Sequence, residues 1–210
     1  MAELQNKEGF LTASGLDGIT ASFRNYRDGK IDYENFAEEA LRSWAIGLTG
    51  IPYDYVLAHT REFVTGQLDK FYPFVNKVFE ELRRSHNIYL VTTEPQFVAY
   101  IVQELLGIHG FLSTEFEVKD GFFTGKIKSM LAKRIEKLAV LSLIFNLHDQ
   151  DKSLAFGDSE ADIEMLNLVD LAVCINPTPV LREHALAKGW KMVTLEDAEK
   201  VILNLIFNDD

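Results

Sequence analysis

From residue 87 onward the sequence repeats one rhythm, a short apolar run followed by a helical pattern. NIYLVTT (87–93), SLAFG (153–157), DLAVCIN (170–176) and KMVTL (191–195) read as strands, and helical stretches such as PQFVAYIVQELLG and PVLREHALAKG follow them. Strands joined by helices pair in parallel, because a parallel connection needs a crossover of a dozen or more residues. Strands buried on both faces read as unbroken apolar runs rather than as an alternation. The expected architecture is therefore α/β, a mostly parallel sheet covered on both sides in three layers. One segment breaks the rhythm. FEVKDGFFTGKI (116–127) reads as two strands joined by a turn at Asp120-Gly121.

Before residue 85 almost every signal is helical. YENFAEEALRSWA (33–45) places Phe36, Ala37, Ala40, Leu41 and Trp44 on one face. Further helices are expected over about 53–68 and 73–84, with Pro73 suited to a first helical position. The expected division is a helical region over 1–84, re-entering the main domain at about 73–84, and an α/β core over 85–210.

Composition narrows the classes of function. The 210 residues carry a formal net charge of −11, which disfavours nucleic acid and anionic membrane as partners. No run approaches the roughly 18 apolar residues of a membrane span. The segment MAELQNKEGF lacks the basic-then-apolar order of a signal peptide. The single cysteine, Cys174, permits no internal disulfide and suits a reducing compartment, where it packs in a core. A soluble, cytoplasmic protein is expected.

Ligands of open α/β sheets gather at the carboxyl ends of the strands. Three elements there carry chemistry. NIYLV delivers Thr92 and Thr93, followed by Glu94 and Pro95 opening a helix, where a hydroxyl can hold a phosphate oxygen. SLAFG delivers Asp158 and Asp162, hard oxygen ligands suited to Mg²⁺. Lys137 heads the apolar face Leu138, Leu141 and Ile144, near the start of a helix expected over about 132–144. Each signal has an ordinary reading as well. Ser159-Glu160-Ala161-Asp162 fits a capping box, a strand-terminal threonine commonly has no task, and lysines on helices are usually solvated. The five histidines show no metal-ligand spacing.

The joint order of four blocks is more specific than any one of them. VTTEPQF, DGFFTGKI, FGDSEADIEML and CINPTPVLREHALAKGW, taken in that order, resemble the haloacid dehalogenase superfamily, and within it the phosphoserine-phosphatase-like branch. YRDGKIDYENFAEEALRSWAIGLTG also resembles the helical cap of that branch. The resemblance implies a Rossmannoid core with a helical cap and a Mg²⁺-dependent phosphomonoesterase acting on a small phosphorylated metabolite. It makes Thr92 the phosphate-binding hydroxyl with Thr93 beside it, Asp158 a Mg²⁺ ligand, and Asp162 its supporter or a second acid. The family lysine follows the T-G of the hairpin by about a dozen residues. Gly125 precedes Lys137 by twelve, and Leu138, Leu141 and Ile144 then stand at the expected apolar places. Lys137 is thus the implied phosphate-binding lysine.

The chain departs from the family in one respect. Its members attack phosphorus with an aspartate in a D-x-D motif at the end of an N-terminal apolar strand, central in the sheet. No such strand is legible here. Leu16-Asp17-Gly18-Ile19-Thr20 follows no buried run, and Asp149-Gln150-Asp151 falls in the loop before SLAFG. Asp28-Gly29-Lys30-Ile31-Asp32 resembles the middle of a calcium loop, yet that register puts Arg24 first and Asn35 twelfth, where acids are required. The expectation is a phosphatase sequence entered just after its nucleophile, with the central strand missing and this chain inactive by itself. The alternative is a non-catalytic relative binding a phosphorylated ligand or a protein partner. A phospho-receiver domain is a third reading, and the long helical region before Thr92 speaks against it.

Overall fold

The computed structural model describes residues 1–147 and 152–207. The fold is α/β, with parallel pairing dominant. Among the described residues the strands form two three-stranded sheets, ordered β1-β2-β3 and β4-β5-β6. Packing groups the chain into two compact units, residues 1–69 with 89–133 and residues 70–88 with 134–210.

The first unit begins with α1 (Ala2–Lys7), α2 (Ala13–Arg27), α3 (Tyr33–Gly47) and α4 (Tyr53–Thr65). Thr12 caps α2 and Asp32 caps α3, each side chain accepting a backbone N–H of the first turn. These caps give two of the rejected motifs plain roles. Asp17-Gly18 lies inside α2, and the Asp28–Asp32 segment is the α2–α3 connection, with Lys30 paired to Asp28 at 3.2 Å. The helix expected to reach Leu68 ends at Thr65, and Leu68–Lys70 forms a separate 3₁₀ turn.

Within the same unit, β1 (Tyr89–Pro95) runs into α6 (Gln96–Leu106), which ends on Gly107 in the left-handed conformation. β2 (Gly110–Lys119) pairs in parallel with β1 and then antiparallel with β3 (Phe122–Ser129). The turn is at Asp120-Gly121, as expected, with both residues at positive φ. β2 begins six residues earlier than the hairpin reading placed it, because Gly110, Phe111 and Leu112 pair with Tyr89, Leu90 and Val91. The core of the unit is aromatic. Phe97, Phe116 and Phe123 are buried and meet edge to face with ring centroids 5.8–6.4 Å apart, with Trp44 joining them from α3. Gln96 locks this arrangement by bonding both the N–H and the C=O of Phe116.

The second unit contains α5 (Phe74–Leu82), α7 (Arg134–Leu147), β4 (Leu154–Gly157), α8 (Ile163–Leu166), β5 (Leu171–Ile175), α9 (Pro179–Lys188), β6 (Lys191–Val193) and α10 (Ala198–Phe207). Pro73 is the cap residue before α5 rather than its first helical residue. The helix carrying Lys137 begins at Arg134 and runs to Leu147, two residues later at its start than the sequence suggests. The sheet is wholly parallel, with Phe156 opposite Val173 and Cys174 opposite Met192. Its start is tied by Asp170, whose carboxylate accepts the Ser153 N–H at 2.9 Å and its hydroxyl at 2.8 Å. Phe74, Val78, Val173 and Ile202 pack one buried cluster, and Ala155, Leu166, Leu181 and Cys174 another. Cys174 is fully buried, as its place in an apolar run suggests.

The strand that carries Thr92 and Thr93 and the strand ending at Gly157 therefore belong to different sheets. The direct pairing of these two strands that a missing central strand would allow is not seen among the described residues. Asp149-Gln150-Asp151 lies outside the described residues.

Candidate active site

The implied residues fall on both units: Thr92 and Thr93 on the first, and Lys137, Asp158 and Asp162 on the second. On the first unit the two threonines differ in what their hydroxyls do. Thr93 donates its proton to the Leu131 carbonyl at 3.2 Å, which ties β1 to the segment after β3. Thr92 Oγ1 instead accepts the N–H of Glu94 at 3.2 Å, which leaves its own proton for another acceptor. Thr92 is thus the better placed of the pair to donate to a phosphate oxygen. The residues following them do not open the helix as expected. Glu94 and Pro95 stay in β1, Pro95 pairs with Thr114, and α6 starts at Gln96. The cause is the extended backbone of Pro95, at φ −63° and ψ 153°.

On the second unit Lys137 is buried, at 7% exposure, and among the described residues no other Asp, Glu, Lys or Arg is buried. A charged lysine is almost never fully buried without a partner. Its burial separates it from Lys126, Lys128 and Lys133, of which Lys128 pairs with Glu115 and Lys133 with Glu38.

The acidic turn after β4 is built around Asp162. One oxygen of this carboxylate accepts the N–H of Asp158 at 3.1 Å, the N–H of Ser159 at 3.2 Å and the Ser159 hydroxyl at 3.3 Å. The capping box suspected from Ser159-Glu160-Ala161-Asp162 is present. It caps a single 3₁₀ turn, Glu160–Asp162, and the four-residue α8, rather than the long helix that EADIEMLNLV suggests. Capping and support of Asp158 are one geometry here, because the donor that Asp162 holds is the backbone of Asp158 itself. Gly157 makes the fold of this turn possible. A Cβ there would stand 2.6 Å from the Asp162 Cβ and 2.9 Å from its Oδ2.

Asp158 is exposed, and burial by neighbouring atoms followed by the charges of Asp162 and Glu160 pushes its carboxyl above the usual range. The folded chain therefore holds that proton more tightly than the unfolded chain. The resulting stability is present below the unfolded pKa and is lost as pH rises through the folded one. Asp158→Asn is expected to raise the melting temperature of the metal-free protein at neutral pH by roughly 1–2 °C, a small gain because the charges are solvent-screened. No rise between pH 6 and 8 in a melting series would show that the crowding of acids is unimportant.

Such crowding suits a cation. Mg²⁺ prefers oxygen ligands, keeps several waters, and is commonly held by one or two carboxylates together with substrate phosphate. Asp158 and the second oxygen of Asp162 match that donor set in kind and number. Among the described residues no group of three or more His, Cys, Asp or Glu could hold a metal by itself. Water and phosphate would complete the shell.

The profile of the haloacid dehalogenase-like hydrolase family matches residues 7–167. The chain belongs to that family. Phosphoserine phosphatase SerB1 of Mycobacterium tuberculosis is 34% identical over 121 residues, 57% of this chain and 39% of that protein. On that likeness the chain falls in the phosphoserine-phosphatase-like branch of the family. The chain spans about two fifths of the length of SerB1 and of a putative hydrolase of Mycobacterium leprae that it also matches. Among solved structures, a protein of unknown function from Bordetella pertussis Tohama I superposes with a TM-score of 0.69 at 25% identity, covering 84% of this chain and 80% of that one. A probable phosphoserine phosphatase from Vibrio cholerae superposes at 0.64 with 17% identity, covering 90% of this chain and 58% of that one, and shows the fold alone. No described helix is long and apolar enough to cross a membrane.

Two contributors were not foreseen from the sequence. Glu160 accepts the hydroxyl of Thr178 at 2.9 Å across 18 residues, and no periodicity signals such a pair. Asn176, at the end of β5, adopts φ 47°, and the polar cluster Asn-Pro-Thr-Pro was the only hint of that turn.

Proposed function

We propose that this chain carries the phosphate- and metal-binding groups of a Mg²⁺-dependent phosphomonoesterase for a small phosphorylated metabolite. The observation that carries this reading is the acidic turn, where Asp162 spends one oxygen fixing the backbone of Asp158 while the exposed Asp158 carboxyl is crowded by like charge. A protein gains nothing in stability from that crowding, and a cation relieves it. In this reading Asp158 holds Mg²⁺ with Asp162 behind it, and the bound ion supplies electrostatic stabilisation of the transferring phosphoryl group. The Thr92 hydroxyl donates to a phosphate oxygen and Lys137 offsets its charge. The helical region over 1–84, re-entering the core at about 73–84, serves as the cap that selects the substrate, the core spans 85–210, and the protein works in the cytoplasm.

The family reaction needs a carboxylate nucleophile, forming an aspartyl-phosphate that water then cleaves. No apolar strand legible in the sequence leads into a D-x-D. These residues by themselves therefore bind phosphate without forming the intermediate.

The reading predicts Mg²⁺-dependent binding of inorganic phosphate, measurable by calorimetry. Thr92→Val, Lys137→Met and Asp158→Asn should each weaken it about tenfold or more. Phosphate binding that ignores Mg²⁺ and all three changes would contradict the assignment.

A further inference from the structure

The turn between β5 and α9 reads Asn-Pro-Thr-Pro over 176–179. Proline has no backbone N–H, so Thr178 is the one backbone donor in the tripeptide 177–179. That donor is spent on a specific target, the Asp158 carbonyl, at 2.9 Å. The Thr178 hydroxyl donates to Glu160 Oε2 at 2.9 Å and accepts the Leu181 N–H at 3.3 Å, which caps α9. On its other flank the turn is pinned to β6, where the Asn176 N–H meets the Val193 carbonyl at 2.8 Å.

The result is a bracket. Asp162 holds the N–H of Asp158 from one side, and Thr178 holds its C=O from the other. The backbone of Asp158 is thus fixed at both of its polar groups. Thr178 also restrains the carboxylate of Glu160, two residues on, whose charge bears on Asp158. A capping threonine requires only the bond to Leu181. The bonds to Asp158 and Glu160 exceed that need, and both end on the acidic turn.

We propose that Thr178 is a positioning residue for the metal site, acting through Asp158 and Glu160. The inference rests on the reading of Asp158 as a Mg²⁺ ligand. Groups that orient metal ligands from behind typically change affinity 10–100-fold when removed. The bracket has a backbone half and a hydroxyl half, and substitution reaches only the second, so the lower end of that range applies.

The test is calorimetric titration of the full chain with Mg²⁺, with melting in EDTA as a separate readout. Thr178→Val should weaken Mg²⁺ binding about tenfold, while Thr178→Ser should restore it to within about twofold of wild type, because the hydroxyl returns. Glu160→Gln keeps the α9 cap, and in its background Thr178→Val should cause little further loss. Thr178→Val binding Mg²⁺ as wild type does, with only a lower melting temperature in EDTA, would reduce Thr178 to a helix cap and overturn the proposal. Additive losses in Thr178→Val and Glu160→Gln would overturn the route through Glu160. Wild-type Mg²⁺ affinity in Asp158→Asn would instead overturn the metal reading on which the proposal stands.

Discussion

Replacing Gly157 with alanine is expected to damage stability and metal binding together. The added methyl would stand 2.6 Å from the Cβ of Asp162 and 2.9 Å from its Oδ2, closer than real Cβ atoms approach. Asp162 cannot swing aside cheaply, because its Oδ2 accepts the backbone N–H groups of Asp158 and Ser159. Gly157 cannot retreat cheaply either, since it pairs with Cys174, which is fully buried in β5. Relief must come from opening the turn. Two or three hydrogen bonds are then lost or strained, each worth about 1 kcal/mol net, and overpacking at such sites costs about 1–3 kcal/mol. A loss near 2–3 kcal/mol lowers the melting temperature of a chain this size by roughly 5–10 °C. Mg²⁺ affinity should fall at least about tenfold, because Asp158 no longer has a fixed backbone. Melting and Mg²⁺ titration of the variant check both parts. Wild-type values for both would mean that the turn tolerates a side chain and that the clasp of Asp162 is dispensable.

How much of this was legible in the sequence depended on the range of the interaction. NIYLV and SLAFG announce themselves as strands through runs of apolar residues, and Asp120-Gly121 announces its turn, because these signals are local. The α3 face was equally plain, with Ala37 and Leu41 buried where helical spacing puts them. Boundaries set by pairing were less so. The start of β2 at Gly110 is fixed by partners in β1, and the strand character of Pro95 by Thr114.

The site shows the same division. The D-S-x-x-D spacing told of a capped acidic turn because capping is a three-residue relation. It could not tell that Asp162 would cap Asp158 itself, nor that Thr178 would reach the turn from β5–α9. Thr92 and Thr93 were indistinguishable as residue types. They differ only because Leu131, far along the chain, takes the proton of one of them. Lys137 reverses the ordinary reading of a helical lysine as solvated: burial, which spacing alone cannot report, sets it apart from its neighbours.

The central proposal is that this chain holds binding groups for a phosphoryl transfer whose D-x-D nucleophile follows no apolar strand legible in the sequence. Hydrolysis of a generic aryl phosphate in the presence of Mg²⁺ tests it most directly. The 210-residue chain is compared with the same chain preceded by an apolar strand ending in D-x-D. The account predicts little or no turnover from the first. From the second it predicts Mg²⁺-dependent turnover that is lost in Asp158→Asn and reduced in Thr92→Val. Robust turnover by the 210-residue chain, abolished by Asp149→Asn, would contradict it and move the nucleophile to Asp149-Gln150-Asp151.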